Sequence, residues 1–249
     1  MNARQEKILE LIQERKYISS IELMEKFHYS ESTIRRDLIL LEKLSVIKRV
    51  PGGAILIKKD FIEGPQSINK NLSVNEKRII ADLAIDFVAD YQTIFLDSST
   101  TVQVFSSYLN TKNHLNIVTP NLKTALLIEK LDKNHSIYTL GGEVEDGHIN
   151  DAMGMEFLNH FMFDAAFFSA RGFSAEIGTT ERLNQEALIK QHVVNKSSHN
   201  ILLLDKSKFD KVHPFIALKI DRIDTLVTDL KPSVEILESL ETKIELVYP

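Results

Sequence analysis

The sequence predicts a small winged helix-turn-helix unit (α+β) followed by a larger α/β domain with a largely parallel sheet. Three observations carry this. Residues 1–58 hold two short amphipathic helices about three residues apart, then apolar runs on both sides of Pro51-Gly52-Gly53. From residue 74 onward, short uninterrupted apolar runs alternate with helical or loop segments, the pattern of a parallel sheet covered on both faces. Charge divides the same way: within a net charge of −5, residues 1–59 carry +4 and the remaining 190 carry −9. A basic front end on an acidic body suits a nucleic-acid-binding module fused to something else.

Composition narrows the classes. With 249 residues, of which 43% are hydrophobic and 26% charged, there is material for one sizeable core and a small appendage. The absence of cysteine excludes a disulfide framework, a thiol nucleophile and a thiolate metal site. No apolar run approaches the roughly 20 residues needed to cross a bilayer. The amino terminus, MNARQEKILELIQERK, is charged and has no signal-peptide core. A soluble cytoplasmic protein with no membrane partner is expected.

In the first unit, Ile8, Leu9, Leu11 and Ile12 at helical spacing predict an amphipathic helix over Asn2 to Arg15. Ser19 with Glu22 three residues on forms a capping box, opening a second helix with an apolar stripe of Ile21, Met24 and Phe27. Ser30 caps a third, whose Ile34, Leu38 and Leu41 repeat at i, i+4 and i+7. If those three face inward, Ser32, Thr33, Arg35 and Arg36 fall on the outer surface of the first turns. A recognition helix reads base edges with its amino-terminal residues, and arginine offers the planar donor fork that pairs with guanine or with phosphate. Lys48 and Arg49 lie on the approach to a strand–turn–strand tip, where Gly52 and Gly53 allow backbone amides close to a phosphate. Double-stranded operator DNA is the expected partner.

The stretch SESTIRRDLILLEKLSVIKRVPGGA resembles the signature of the DeoR family of bacterial sugar-responsive transcription regulators. Thr33 to Leu38 match its TIRRDL recognition helix, and Leu41, Glu42, Gly52, Gly53 and Ala54 match the Leu-Glu pair and the wing beyond it. Pro51 stands where histidine is usual in that family.

A linker is expected over 59–73, which contains Gly64-Pro65 and no clear periodicity. Residues 74–249 are then the α/β effector-binding and oligomerisation domain. Ser73 and Glu76 form another capping box, and Ile80, Leu83, Ala84, Phe87 and Val88 make a helical stripe ending near Asp90. The runs TIFLD, LNIVT, SIYTL, AAFFSA, NILLLD and DTLVTD are the expected strands. Ligands in such sheets sit beyond the carboxyl ends of the strands, so the loops after the runs are the candidates. Asp97 ends the first run, and Ser98, Ser99, Thr100 and Thr101 open a helix whose hydroxyls and amides suit an anion. Asn121 follows the second run, Gly141 and Gly142 the third, Arg171 the fourth, and Asp205 with Lys208 the fifth. Glu186 and Lys190 stand at i, i+4, a pairing that also stabilises a helix.

These landmarks again resemble the DeoR family, in its carboxy-terminal effector domain. Asp97-Ser98-Ser99-Thr100-Thr101 matches an Asp-Ser-Gly-Thr-Thr loop with Ser99 in place of glycine. Thr119-Pro120-Asn121 matches a Thr-Asn loop with a proline between, and Gly141-Gly142 and Asp205 to Phe209 agree directly. The resemblance implies a fold similar to ribose-5-phosphate isomerase and a repressor whose DNA binding a phosphorylated sugar modulates. Induction by that ligand, a homodimer or homotetramer and no resident cofactor are the accompanying expectations.

Two other classes compete. A sugar-phosphate isomerase would place carboxylates after AAFFSA, where this chain has Ser169, Ala170 and Arg171, which leaves Glu186 without a matched acid. His148 in HIND has no second ligand pair at metal spacing. No catalytic or metal residues are therefore expected. An architectural DNA protein would have no use for the hydroxyl-rich loop.

Overall fold

Two units make up the chain, Met1–Leu72 and Ser73–Pro249. The structure, a computed structural model, describes residues 3–15, 17–43, 47–50, 52–56, 74–131, 133–149, 152–240 and 242–249. Asn2, Pro51, the expected linker at 59–73 with Ser73, and the side chain of Lys48 lie outside the described residues.

The first unit runs α1 (Ala3–Arg15), β1 (Tyr17–Ser19), α2 (Ser20–Phe27), α3 (Glu31–Lys43), β2 (Ile47–Val50) and β3 (Gly53–Leu56). Its antiparallel sheet has the order β1-β3-β2, so the expected hairpin gains a third strand. Three residues are too few to show a period of two, and β1 exists through its pairing with β3, Tyr17 opposite Ile55 and Ser19 opposite Gly53. The core joins Ile8, Ile12 and Leu11 of α1 to Leu23, Ile34, Leu38, Leu41 and Ile47. Ser19 caps α2 as expected, its hydroxyl accepting the Glu22 amide at 3.1 Å. The second half of that capping box does not form, because the Glu22 carboxylate pairs with Arg15. The stripe of α2 is also corrected: Leu23 is fully buried beside Met24 and Phe27, while Ile21 is 67% exposed.

The second unit contains a seven-stranded sheet, parallel throughout. Its strands are β4 (Thr93–Leu96), β5 (Asn116–Thr119), β6 (Ser136–Thr139), β9 (Ala165–Phe168), β12 (Asn200–Leu204), β14 (Thr225–Thr228) and β15 (Glu245–Val247). The six expected strands are all present, and β15 is an addition. Between them lie α4 (Val74–Ala84), α5 (Thr100–Ser106), α6 (Leu122–Glu129), α7 (Ala152–Phe157), α8 (Asn184–Val193) and α9 (Val234–Leu240). A hairpin, β7 (Val144–Glu145) and β8 (His148–Ile149), and a small sheet of β10 (Gly172–Ser174), β11 (Gly178–Glu181) and β13 (Phe215–Ile216) complete the unit.

Alternation along the strands builds two cores. Phe95, Phe168, Leu202 and Leu204 pack on one face with Leu158, Phe163, Ile189 and Val193. Ile94, Leu96, Phe167, Ile201 and Leu203 pack on the other with Ile80, Ala81 and Ala84 of α4 and Val102 and Phe105 of α5. Both faces are therefore covered, as the uninterrupted apolar runs require. The strand SIYT is the exception: β6 is an edge strand and alternates between exposed and half-buried residues.

The order β15-β14-β12-β9-β4-β5-β6 locates the site. From β4 the chain winds outward through β5 to β6, then returns to β9 and winds the other way. The switch point falls between β4 and β9, and ligands of open parallel sheets bind outside the carboxyl ends of the strands at such a point.

Candidate functional site

In the first unit, α3 presents its surface as the spacing predicts. Ile34, Leu38 and Leu41 are buried, Ser32, Arg35 and Arg36 are exposed, and Thr33 is half-buried. Ser30 receives the amides of Thr33 and Ile34 on its carbonyl at 3.0 and 3.1 Å, while its hydroxyl meets those of Ser32 and Thr33. What sequence reasoning missed is Asp37, which lies on the inward stripe between Ile34 and Leu41. It is 2% exposed and accepts Arg4 Nε at 2.5 Å, Arg4 Nη2 at 3.2 Å and Gln5 Nε2 at 3.0 Å, fastening α3 to α1. Burial works to raise its pKa, but the bonds from Arg4 and Gln5 and the Arg4 charge outweigh burial and hold the carboxyl below its ordinary value. The Arg4 guanidinium also sits 4.7 Å from the centre of the Tyr29 ring.

The wing divides its candidates. Arg49 donates from Nε to Glu42 Oε2 at 2.6 Å, and its amide donates to Glu42 Oε1 at 2.8 Å, so this side chain braces the hairpin against the end of α3. Gly52 is exposed at φ +81, and its carbonyl accepts the Ser20 amide at 2.8 Å. Gly53 is buried, and a Cβ there would stand 2.3 Å from the Ile18 carbonyl oxygen. Pairing with β1 thus accounts for Gly53, correcting the expectation that both glycines serve a phosphate.

At the switch point of the second unit, Asp97 ends β4 and is buried. Its Oδ1 accepts the Ser99 amide and its Oδ2 the Ser169 amide, both at 2.8 Å, so the ends of β4 and β9 are tied directly. Lys190 of α8 approaches Asp97 Oδ2 at 3.2 Å and donates to Glu181 Oε1 and the Ser169 carbonyl, each at 2.5 Å. The expected pairing of Lys190 with Glu186 is therefore corrected: Lys190 turns inward, and the half-buried Glu186 acts on it only through its charge. Burial pushes the Glu181 carboxyl up to about 7, the Lys190 charge opposing and the Glu186 charge adding to that shift. For Lys190, burial works against the charged form, but Glu181 and Asp97 outweigh it and hold the ammonium above the usual lysine value. Glu181 was missed, since nothing in GTTERL tells a strand-end glutamate from a surface one.

The hydroxyl loop is more committed than expected. Ser99 caps α5 at φ −69, its hydroxyl accepting the Val102 amide at 3.2 Å. That extended backbone suits serine and needs no glycine. Thr100 Oγ1 accepts Lys77 Nζ at 3.0 Å, while Ser98 and Thr101 are buried. Lys77 is a further missed residue, 4% exposed. It was legible in principle, as a lysine on the apolar stripe of α4 in register with Ile80 and Ala84. Asn121 Oδ1 accepts the amides of Lys123 and Thr124 at 2.9 and 3.3 Å, capping α6, and its Nδ2 donates to the Ser98 carbonyl at 3.1 Å.

Direct bonds thus join Asp97, Ser98, Ser99, Asn121 and Lys190 with Ser169 and Glu181. The remaining candidates share that edge of the sheet through the parallel strand order. Gly141 and Gly142 are exposed after β6, the half-buried Arg171 follows β9, and the half-buried Lys208 follows β12. Asp205, also after β12, uses its Oδ1 to accept the Ser207 amide at 3.0 Å. Among the described residues no group of three or more histidine or acidic side chains is placed to hold a metal ion, and no helix is long and apolar enough to cross a membrane.

Comparison with known proteins covers both units. Residues 4–60 match the DeoR-like helix-turn-helix domain, and residues 72–230 match the DeoR C terminal sensor domain. The chain is 32% identical over 232 residues to the HTH-type transcriptional regulator GolR of Listeria innocua, spanning 92% of this chain and 90% of that one. It is 30% identical over 235 residues to the glycerol-3-phosphate regulon repressor of Escherichia coli, spanning 94% and 92%. It is also 30% identical over 250 residues to the lactose phosphotransferase system repressor of Staphylococcus epidermidis, spanning 98% of each. Among solved structures, ribose 5 phosphate isomerase A from Neisseria gonorrhoeae aligns at 18% identity and a TM-score of 0.41, over 53% of this chain and 52% of that one.

Proposed function

This chain belongs to the DeoR family of DNA-binding transcription regulators, and on that premise we propose that it represses genes of carbohydrate uptake or metabolism until a phosphorylated sugar enters its second unit. The family places it among regulators, not enzymes. The names of its relatives, repressors of glycerol-3-phosphate and lactose regulons, support this class of effector.

The observation that carries the reading is the tie between Asp97 and Ser169 across the switch point. It gathers the Ser98–Thr101 loop, the Asn121 cap and the charges of Lys190 and Glu181 at the switch point, where ligands of open parallel sheets bind. The first turn of α5 supplies partly positive amides toward a phosphate, with Lys77 behind Thr100. Gly141, Gly142, Arg171, Glu186, Asp205 and Lys208 are proposed as the further rim of the pocket.

On the DNA side, Ser32, Thr33, Arg35 and Arg36 are the proposed reading face of α3. Lys48 and Gly52 are the proposed phosphate contacts of the wing. Arg49 contributes through its hold on Glu42. A single helix-turn-helix reads one half-site, so two copies would span half-sites about 34–36 Å apart; a homodimer or homotetramer formed through the second unit is proposed. Induction requires the ligand to prefer the arrangement that binds DNA poorly, and a 100-fold preference corresponds to about 2.7 kcal/mol.

The test is footprinting on DNA upstream of the gene for this protein and its neighbours, repeated with a panel of sugar phosphates. Protection of a discrete site that one phosphorylated sugar abolishes is the expected result. Protection unaffected by the whole panel would remove the effector half of the proposal.

A further inference from the structure

His148 is a buried group at this edge of the sheet whose ring nitrogens are unsatisfied. It is 7% exposed, and neither Nδ1 nor Nε2 has a hydrogen-bond partner among the described residues. A neutral imidazole carries one donor and one acceptor, and leaving both unmade away from water is unfavourable. The neighbouring buried groups Asp97, Asn121, Glu181 and Lys190 all have partners.

The fold brings this ring to the candidate pocket. His148 lies in β8 opposite Asn121, where the Ile149 amide donates to the Pro120 carbonyl and the Leu122 amide to the Gly147 carbonyl, both at 2.9 Å. The hairpin is therefore fastened to the loop whose Asn121 reaches Ser98. Lys123 adds a clasp, with Nζ 2.8 Å from Asp146 Oδ1. The charges that act on the ring come from several elements: Lys123 of α6, Glu186 of α8, Asp146 of the hairpin turn and Asp97 after β4. Burial first, and then Lys123, holds the imidazole below its ordinary pKa, so the neutral ring prevails at pH 7.

We infer that His148 binds a hydroxyl of a singly phosphorylated sugar or polyol, offering it one N–H and one lone pair, while Glu186 disfavours a second phosphate at that end. This rests on the pocket proposed above and adds the class and direction of its ligand. The phosphate lies toward Ser99 and Thr100, and the hydroxylated chain runs toward His148 and Glu186. A hydroxyl fits because it both donates and accepts; a phosphate monoester dianion only accepts, and would meet the Glu186 carboxylate.

The experiment is calorimetric titration of the full chain at pH 7.5. The probes are inorganic phosphate, a set of hexose and hexitol monophosphates, and fructose 1,6-bisphosphate. In the wild type, a monophosphate should bind about tenfold or more tightly than the bisphosphate. In His148→Phe, which keeps an aromatic ring but no ring nitrogen, affinity for that monophosphate should fall about tenfold, the scale of one or two lost hydrogen bonds. His148→Asn, which retains a donor and an acceptor, should recover part of that loss. Inorganic phosphate should bind all three proteins alike. Equal monophosphate affinity in wild type and His148→Phe, or a bisphosphate bound as well as the monophosphate, would overturn the inference and leave the pocket standing. No binding of any phosphate by the wild type would overturn both. The wild-type comparison of monophosphate with bisphosphate decides the matter even if neither variant folds.

Discussion

Lys190 and Glu181 meet at 2.5 Å beneath the ends of the parallel strands, each almost wholly buried. The same ammonium bonds the Ser169 carbonyl and lies 3.2 Å from Asp97, whose carboxylate receives the Ser169 amide. One cation thus fixes β4, β9, β11 and α8 relative to one another, and with them the Ser98–Ser99 turn. Buried charges are tolerated only when fully paired, so this hub should fail in an asymmetric way.

Lys190→Met is expected to destabilise the second unit by about 3–5 kcal/mol, because it strands two buried carboxylates. Glu181→Gln should cost far less, since Lys190 keeps Asp97 and the Ser169 carbonyl. Denaturant unfolding of the full chain reads the difference, and equal costs would remove Lys190 from the centre of the hub. The pH dependence has a definite sign. With its pKa raised from 4.5 to about 7, folded Glu181 holds a proton that the unfolded chain has released. Its contribution to stability therefore declines as pH rises through that window, and Glu181→Gln should remove that slope.

Much of this was legible in the sequence, for identifiable reasons. Within the runs AAFFSA and NILLLD, the stretches AAFF and ILLL are apolar at every position, which only strands covered on both faces require. The recognition helix was legible because Ile34, Leu38 and Leu41 fix its rotation and so turn Arg35 and Arg36 outward. Elements made by distant pairing were not legible: β1 is three residues long, and β15 is a short edge strand whose partner lies in β14. The charges followed the same division. Asp97 could be placed at a strand end from its own neighbours, but whether Lys190 turns to Glu186, four residues away, or to Glu181 depends on where β11 comes to rest.

Arg35→Ala and Arg36→Ala should weaken operator binding while leaving effector affinity unchanged. A residue reading a base should cost about 1–3 kcal/mol and relax specificity at one position. One touching phosphate should weaken all sequences alike and reduce the salt slope by about one. Fluorescence anisotropy across a salt series, on operator and random duplexes, separates the two. Loss of effector affinity in either variant would contradict independent roles for the two units.

The two wing glycines should respond differently to alanine. At Gly52, φ +81 imposes strain of about 1–2 kcal/mol on any residue with a Cβ, but the space is open. At Gly53 the new Cβ would sit 2.3 Å from the Ile18 oxygen and 2.9 Å from Ser19 Cα, so β1 must leave β3. Gly53→Ala should lower the thermal midpoint of the first unit more than Gly52→Ala does. The reverse order would mean that the β1–β3 contact is not what requires glycine there.

Thr100→Val should separate the two functions from the other side. The substitution keeps the branched shape while removing the oxygen that Lys77 donates to at the start of α5. Operator affinity without ligand should match the wild type. Release from the operator should demand about tenfold more sugar phosphate, the scale of one charge-assisted hydrogen bond. A wild-type inducer response, titrated on operator-bound protein, would take Thr100 out of the pocket.

Asp37 offers a test of how the reading helix is held. Its pKa lies below the ordinary 3.8, so its contribution to stability is complete above that value and is lost as pH falls through the lower, folded pKa. Asp37→Asn should remove that acid-side slope. At neutral pH it should cost about 1–3 kcal/mol, because a buried amide cannot answer both Arg4 and Gln5 with acceptors. Operator affinity should fall as well, although Asp37 is turned away from the reading face, because α3 is no longer fastened to α1. In an Arg4→Met, Asp37→Asn cycle the two losses should be strongly non-additive. Additive losses would show that Arg4 and Asp37 stabilise the unit separately and that their contact does not position α3.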